Sequence, residues 1–195
     1  TKSIQSCIKR LNKVMEKSAD DLNSADGLLG DGDLGVTMIR GFRNLLDEIE
    51  SLPEDIGMAL LKCAKAFTKS SGSSYGTLMA TGLMAVAKEI KGKKEIELDE
   101  ISRLFNISLE AMQMRGKANL GDKTVLDVLA AARDASKNQT DCYVMLKSIN
   151  IAIDDTIKKF RDRQSKIGRA RIFAKKSVGL DDPGMLAFKI MFESI

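Results

Sequence analysis

The sequence contains no histidine. That absence removes a Ser-His-Asp triad, an imidazole general base, a phosphohistidine and every histidine metal ligand. Cysteine is sparse: Cys7, Cys63 and Cys142 are widely spaced and form no Cys-x-x-Cys pattern, which argues against a zinc site. Each thiol falls on an apolar helical stripe, so we expect buried, reduced cysteines. Long apolar runs are missing too; none approaches the ~20 residues that span a bilayer. No basic segment followed by an apolar one opens the chain as a secretion signal would. We therefore expect a cytoplasmic location and no membrane partner.

What is present is ordinary for a globular protein: 195 residues, 44% hydrophobic and 30% charged. That length suits one domain, residues 1–195, burying about 70% of its unfolded surface. The net charge of +4 is unevenly placed. Nine basic residues against the single acid Asp162 lie between Lys158 and Lys176, so the rest of the chain nets −4. Such a run could hold nucleic acid, but only Phe160 and Phe173 interleave with it and no RNA-binding motif is present. We expect no nucleic-acid partner; a solvated face with a phosphate-holding loop explains the run better.

Helical periodicity dominates. Ile4, Cys7, Ile8, Leu11, Val14 and Met15 mark a first helix, and Met38, Phe42, Leu45, Leu46 and Ile49 a second. Ser51-Leu52-Pro53-Glu54 reads as a capping box opening a third through Ile56, Leu60, Cys63 and Phe67. Further stripes begin at Met79, Leu98, Val125 and Cys142, and Asp182-Pro183 reads as the cap and first residue of the last helix. With about eight helices, no convincing strand and short connections, the expected fold is an all-α, up-and-down antiparallel barrel. The ten methionines read as core gap-fillers. Ser165 to Asp182 is the one long non-periodic stretch, a candidate functional loop.

The most informative segment is Ala25-Asp26-Gly27-Leu28-Leu29-Gly30-Asp31-Gly32-Asp33-Leu34-Gly35. We expect Asp26, Asp31 and Asp33 to share one turn, bent by Gly30, Gly32 and Gly35. Carboxylates about 4 Å apart repel by roughly 4 kcal/mol per pair, which a hard cation relieves; Mg²⁺ favours a few carboxylates with phosphate oxygens. A helix starting near Gly35 would add free N–H groups that favour anions. The glycine pattern formally matches a dinucleotide fingerprint, but no strand precedes it. An EF-hand fails because its sixth and twelfth positions are Val36 and Phe42. Gly121-Asp122-Lys123-Thr124 lacks the upstream glycine of a P-loop.

Three more clusters follow: Lys69-Ser70-Ser71-Gly72-Ser73-Ser74-Tyr75-Gly76-Thr77, Arg115 through Thr124, and Gly168-Arg169-Ala170-Arg171 with Asp181-Asp182-Pro183-Gly184. Singly, each reads as an ordinary inter-helix loop. In an up-and-down bundle, however, the connections after helices one, three, five and seven share one end. These four clusters are those connections, so we expect one composite site.

Together the clusters resemble the nucleotide-binding (L) subunit of dihydroxyacetone kinases. The resemblance runs from about Leu22 to the last helix and also rests on Arg40-Gly41-Phe42, Asp127 and Ser177-Val178-Gly179. It implies a barrel of eight antiparallel helices with ADP or ATP at one end. It implies that Asp26, Asp31 and Asp33 hold two Mg²⁺ bridging the phosphates. The residues matching the family's nucleotide contacts are Leu34, Gly35, Val36, Thr37, Ser70, Ser71, Gly116, Val125, Arg169, Asp182, Pro183 and Gly184. Arg169 is also the candidate to stabilise the transferring group. Family members bind dihydroxyacetone through a histidine on a separate substrate-binding subunit or domain, which this histidine-free chain needs as a partner. A phosphotransferase-system phosphoryl donor and a second copy of the chain are further partners to consider. The chain departs from the family at Leu34, where histidine is usual, at Val36-Thr37, where Leu-Asn is usual, and at Ser73-Ser74.

The expected function is therefore a kinase subunit presenting a Mg-nucleotide for transfer to a small ketone or sugar held elsewhere. The nucleotide either exchanges as ATP or stays bound as ADP and is recharged. The alternative is a regulatory or scaffold protein that binds nucleotide without turnover.

Overall fold

A computed structural model describes residues 1–69 and 73–195. Helix α1, Lys2–Leu29, buries Ile8, Met15, Ala19, Leu22 and Leu29 along one face. The expected turn around Asp26 is partly helix. Leu22 and Leu29 lie seven apart on the buried face, and burying Leu29 offsets the ~1 kcal/mol that Gly27 costs inside a helix. Helix α2, Leu34–Asp47, packs antiparallel on α1. Gly35 permits that contact, since a Cβ there would overlap the Ala19 carbonyl of α1.

Helix α3, Ile56–Thr68, begins one residue after the cap Asp55, whose carboxylate accepts from the Met58 N–H at 3.0 Å. The expected box at Ser51 does not form; Ser51 ends a short 3₁₀ turn, Ile49–Ser51, and bonds Lys62. Helices α4, Ser74–Glu89, α5, Ile101–Gly116, α6, Val125–Ala135, and α7, Cys142–Arg161, follow in order. A 3₁₀ strap, Arg169–Ser177, precedes α8, Pro183–Glu193. As expected, Asp182 caps α8 by accepting from the Met185 N–H at 2.9 Å, with Pro183 first in the helix.

Each helix packs on the next, and α8 returns to α1, closing the up-and-down ring. Two apolar clusters fill it. One joins α1 to α4 through Met15, Met38, Phe42 and Phe67, with Phe42 and Phe67 edge to face at 5.1 Å. The other joins α5 to α8 through Leu109, Leu129, Ile149, Ile153 and Phe192. Helix α8 serves both, with Ala187 in the first and Met185 in the second. The cysteine expectation holds for Cys63 alone: Cys7 is half-buried and Cys142 exposed at the first turn of α7. Among the methionines, Met58, Met84 and Met114 are exposed rather than core gap-fillers. Among the described residues no helix is long and apolar enough to cross a membrane.

Candidate functional site

The connections α1–α2, α3–α4, α5–α6 and α7–α8 all contribute walls to one cavity of about 490 Å³. Its acidic corner is built from two pieces of backbone. Asp26 occupies the last turn of α1; Asp31 and Asp33 sit in the turn that follows. One oxygen from each carboxylate lies within 4.8 Å of the others. The local backbone requires its glycines for different reasons. Gly32 has φ 75°, the left-handed region. Gly30 makes room for the Asp26 carboxylate, which a Cβ would overlap. The Asp26 Oδ2 accepts from the Asp33 N–H at 3.0 Å, tying helix end to turn.

Two of the free donors expected at the start of α2 are already taken. Asn23 Oδ1, one turn before Asp26, accepts from the Gly35 N–H at 2.8 Å and the Val36 N–H at 3.3 Å. The Thr37 N–H bonds the Asp33 carbonyl at 2.9 Å. Gly35, Val36 and Thr37 accordingly do not line the cavity: Gly35 packs on α1, Thr37 is buried and Val36 faces solvent. Leu34 does line it. Ser70 and Ser71 lie outside the described residues; Ser73 and Ser74 from the same connection reach the cavity.

The third connection supplies Gly116, Thr124 and Val125. Buried Asp127 shapes it: its carboxylate accepts from the Gly121 N–H at 2.6 Å and the Thr124 N–H at 2.9 Å. Burial pushes the Asp127 pKa up and these bonds oppose the rise. The fourth connection supplies Arg169, which forms an ion pair with Asp31, and Asp182, Pro183 and Gly184. Burial raises the Asp182 carboxyl to about 6, partly offset by its cap bond and by Lys123. Gly184 keeps this wall open; a Cβ would crowd the Tyr75 ring at 3.1 Å.

Several lining residues fall outside the sequence-derived set. Arg115, at the end of α5, adds a second cation to the lining of the cavity that Arg169 also lines; its place in the third cluster was the available signal. Tyr75 forms part of the wall, and its buried hydroxyl has no hydrogen-bond partner among the described residues. Ile167, Leu78, Met112 and Leu126 add apolar surface.

The donor set suits hard chemistry. Three clustered carboxylates offer only oxygen, the preference of Mg²⁺ rather than of a thiophilic metal. Arg169 and Arg115 present donors suited to phosphate oxygens, and the apolar wall with the Tyr75 phenol suits an aromatic base carrying polar edges. The residues present therefore fit a metal-nucleotide.

Comparison with known proteins bears on the family and the fold. A family model described as the DAK2 domain matches residues 28–195. The ADP-binding subunit DhaL of the PEP-dependent dihydroxyacetone kinase of Escherichia coli is 25% identical over 193 residues, covering 96% of this chain and 92% of its own. The corresponding subunit of the PTS-dependent kinase of Lactococcus lactis is 29% identical, covering 99% and 96%. The crystal structure of the dihydroxyacetone kinase of C. freundii superposes with a TM-score of 0.80 at 20% identity, a likeness of fold. This chain covers 34% of that longer one. The fold, the four-connection cavity and the family match over residues 28–195 lead to one conclusion: the chain belongs to the DAK2-domain family.

Proposed function

We propose that this chain is the nucleotide-binding subunit of a dihydroxyacetone-type kinase. It would hold ADP or ATP with two Mg²⁺ and present the terminal phosphoryl group to a small ketone or sugar bound by a separate subunit. The observation that carries the reading is the convergence of Asp26, Asp31 and Asp33, with Arg169 from a distant segment, on one cavity. The names of the E. coli and L. lactis relatives support it, as does a C. freundii kinase structure in complex with AMP-PNP and Mg²⁺.

Phosphoryl transfer asks mainly for positioning and charge neutralisation. Bound Mg²⁺ supplies Lewis-acid neutralisation of phosphate oxygens. The three aspartates would hold such cations, and Arg169 and Arg115 would offer further positive charge to the phosphates. Tyr75, Leu78 and Met112 give the cavity wall apolar surface. In this reading the base that takes the acceptor's proton belongs to the separate substrate-binding subunit, as the family resemblance implies. The words PEP-dependent and PTS-dependent in the relatives' names favour ADP that stays bound and is recharged by a phosphoryl donor protein. The proposal places residues 1–195 in the cytoplasm as one nucleotide-binding unit; closure of α8 on α1 supports the single unit.

Calorimetric titration of ADP with and without Mg²⁺ tests the site. Strong metal dependence is expected, and equal affinity in EDTA overturns it. ADP that survives extensive washing supports the retained-cofactor mechanism; ready loss favours exchange with ATP.

A further inference from the structure

Gly121-Asp122-Lys123-Thr124 ends like a phosphate-binding loop, yet its lysine does not line the cavity. Lys123 is only 1% exposed. Its ammonium donates to the carbonyls of Arg161 at 3.0 Å, Arg163 at 2.8 Å and Ser177 at 2.7 Å. An ammonium has three donors, so all are used. Arg161 and Arg163 stand where α7 gives way to the irregular segment; Ser177 stands where the strap ends. One buried cation thus joins both feet of the segment that carries Arg169.

Backbone and hydroxyl bonds complete the knot. The Gly179 N–H bonds the Arg161 carbonyl at 2.9 Å, and the Lys166 N–H bonds the Asp122 carbonyl at 3.1 Å. The Ser165 N–H donates to Ser177 Oγ at 2.9 Å. Lys123 itself has φ 64°, a region that disfavours a non-glycine residue. Glycine would adopt that backbone more cheaply but could reach none of the three carbonyls. Burial drives the Lys123 pKa down, while Asp182, Asp181 and Asp162 favour its charge.

We propose that Lys123 is a positioning residue, whose ammonium clasps both feet of the strap and thereby sets Arg169 beside Asp31 in the cavity. The consequence for nucleotide binding rests on the function proposed above; the clasp itself does not.

Two measurements separate them. The first is limited trypsin digestion of the full chain without nucleotide, reading cleavage after Arg163, Lys166, Arg171 and Lys175. Lys123→Met should speed cleavage there at least about tenfold while leaving the helical circular dichroism unchanged. Lys123→Gln keeps two N–H donors and should fall between. Unchanged cleavage overturns the clasp, and so does failure of both variants to fold, since Lys123 would then support the whole fold rather than the strap.

The second is Mg·ADP affinity in a double-mutant cycle with Arg169→Ala. Each single variant should weaken binding about tenfold, and the double variant should be no weaker than Arg169→Ala alone. Additive losses would show that Lys123 does not act through Arg169 and overturn that part. If the unmodified chain binds no Mg·ADP, the proposed function fails while the digestion result still decides the clasp.

Discussion

The acidic corner and the basic strap meet across one cavity but are held by opposite means. The corner is a short turn braced at both ends by helix: Asp26 lies in the last turn of α1, and the turn carrying Asp31 and Asp33 leads into α2, which lies against α1 at Gly35. The strap is irregular, with Ala174 at φ 47°, and hydrogen bonds converging on buried Lys123 hold it. Helices satisfy most of their own backbone, so the corner needs only a few side-chain bonds at its helix ends besides close packing; a long irregular segment needs side chains to satisfy its carbonyls. The corner should therefore be sensitive to packing, and the strap to charge and hydrogen bonding. Gly35→Ala is the largest expected break of the corner. Its Cβ would overlap backbone rather than a flexible side chain, so α2 must move, at about 3 kcal/mol of stability. Chemical denaturation reads this, and an unchanged midpoint would deny that the corner rests on close helix contact.

Next in size is the chemistry of the corner. Asp31→Asn removes one charge from the three carboxylates and weakens the pair with Arg169. That pair is solvent-accessible, so its own contribution is small, and the fold should be retained. Mg·ADP affinity should fall about 100-fold, or ~2.8 kcal/mol, while ADP affinity in EDTA changes little. Equal losses in both titrations would mean that Asp31 serves the nucleotide and not a cation.

The strap side offers a pH test. The Asp182 carboxyl is raised by burial from 3.8 to about 6. A folded state that binds the proton more tightly than the unfolded chain gains stability at low pH and loses it as pH rises from about 4 to about 7. Partial exposure of Asp182 reduces the effect to roughly 2 kcal/mol. Asn is as good an N-cap as Asp, so Asp182→Asn should keep the α8 cap and flatten that part of the unliganded protein's stability profile. A profile of unchanged slope would assign the pH dependence elsewhere, with Asp127 the first group to examine.

Much of this was legible in the sequence. Apolar spacing gave the helices, Asp182-Pro183 marked the last one, and counting connections placed four loop clusters at one end. Local reading stopped where a long-range contact decided the outcome. Asp26 reads as part of a turn because glycines surround it, but burial of Leu29 extends the helix through it. The expected capping box at Ser51 gave way to Asp55, whose carboxylate also accepts from the Gly92 N–H at 2.8 Å, a partner 37 residues away. Cys142 falls on an apolar stripe, yet its turn of α7 faces solvent. Lys123 and Tyr75 carry no sequence signal of burial, because the groups that enclose them are distant in the chain, for Lys123 the carbonyls of Arg161, Arg163 and Ser177.

The smallest expected effect concerns the donors at the start of α2. Free N–H groups there are an argument for anion binding, and Asn23 takes two of them by accepting from both Gly35 and Val36. Asn23 thus acts as a cap supplied from a neighbouring helix. Asn23→Ala should cost about 1 kcal/mol of stability, as loss of an N-cap does. It should also leave two N–H groups near the acidic corner to water or to an added anion. If they reach the nucleotide, Mg·ADP affinity would rise slightly even as stability falls; if they serve only the helix, the affinity would stay level. Asn23→Asp sharpens the comparison, because it keeps an acceptor for both N–H groups and adds a fourth carboxylate close to Asp26. Stability near that of the unmodified chain with weaker binding in EDTA would show that capping and electrostatics at this corner are separable.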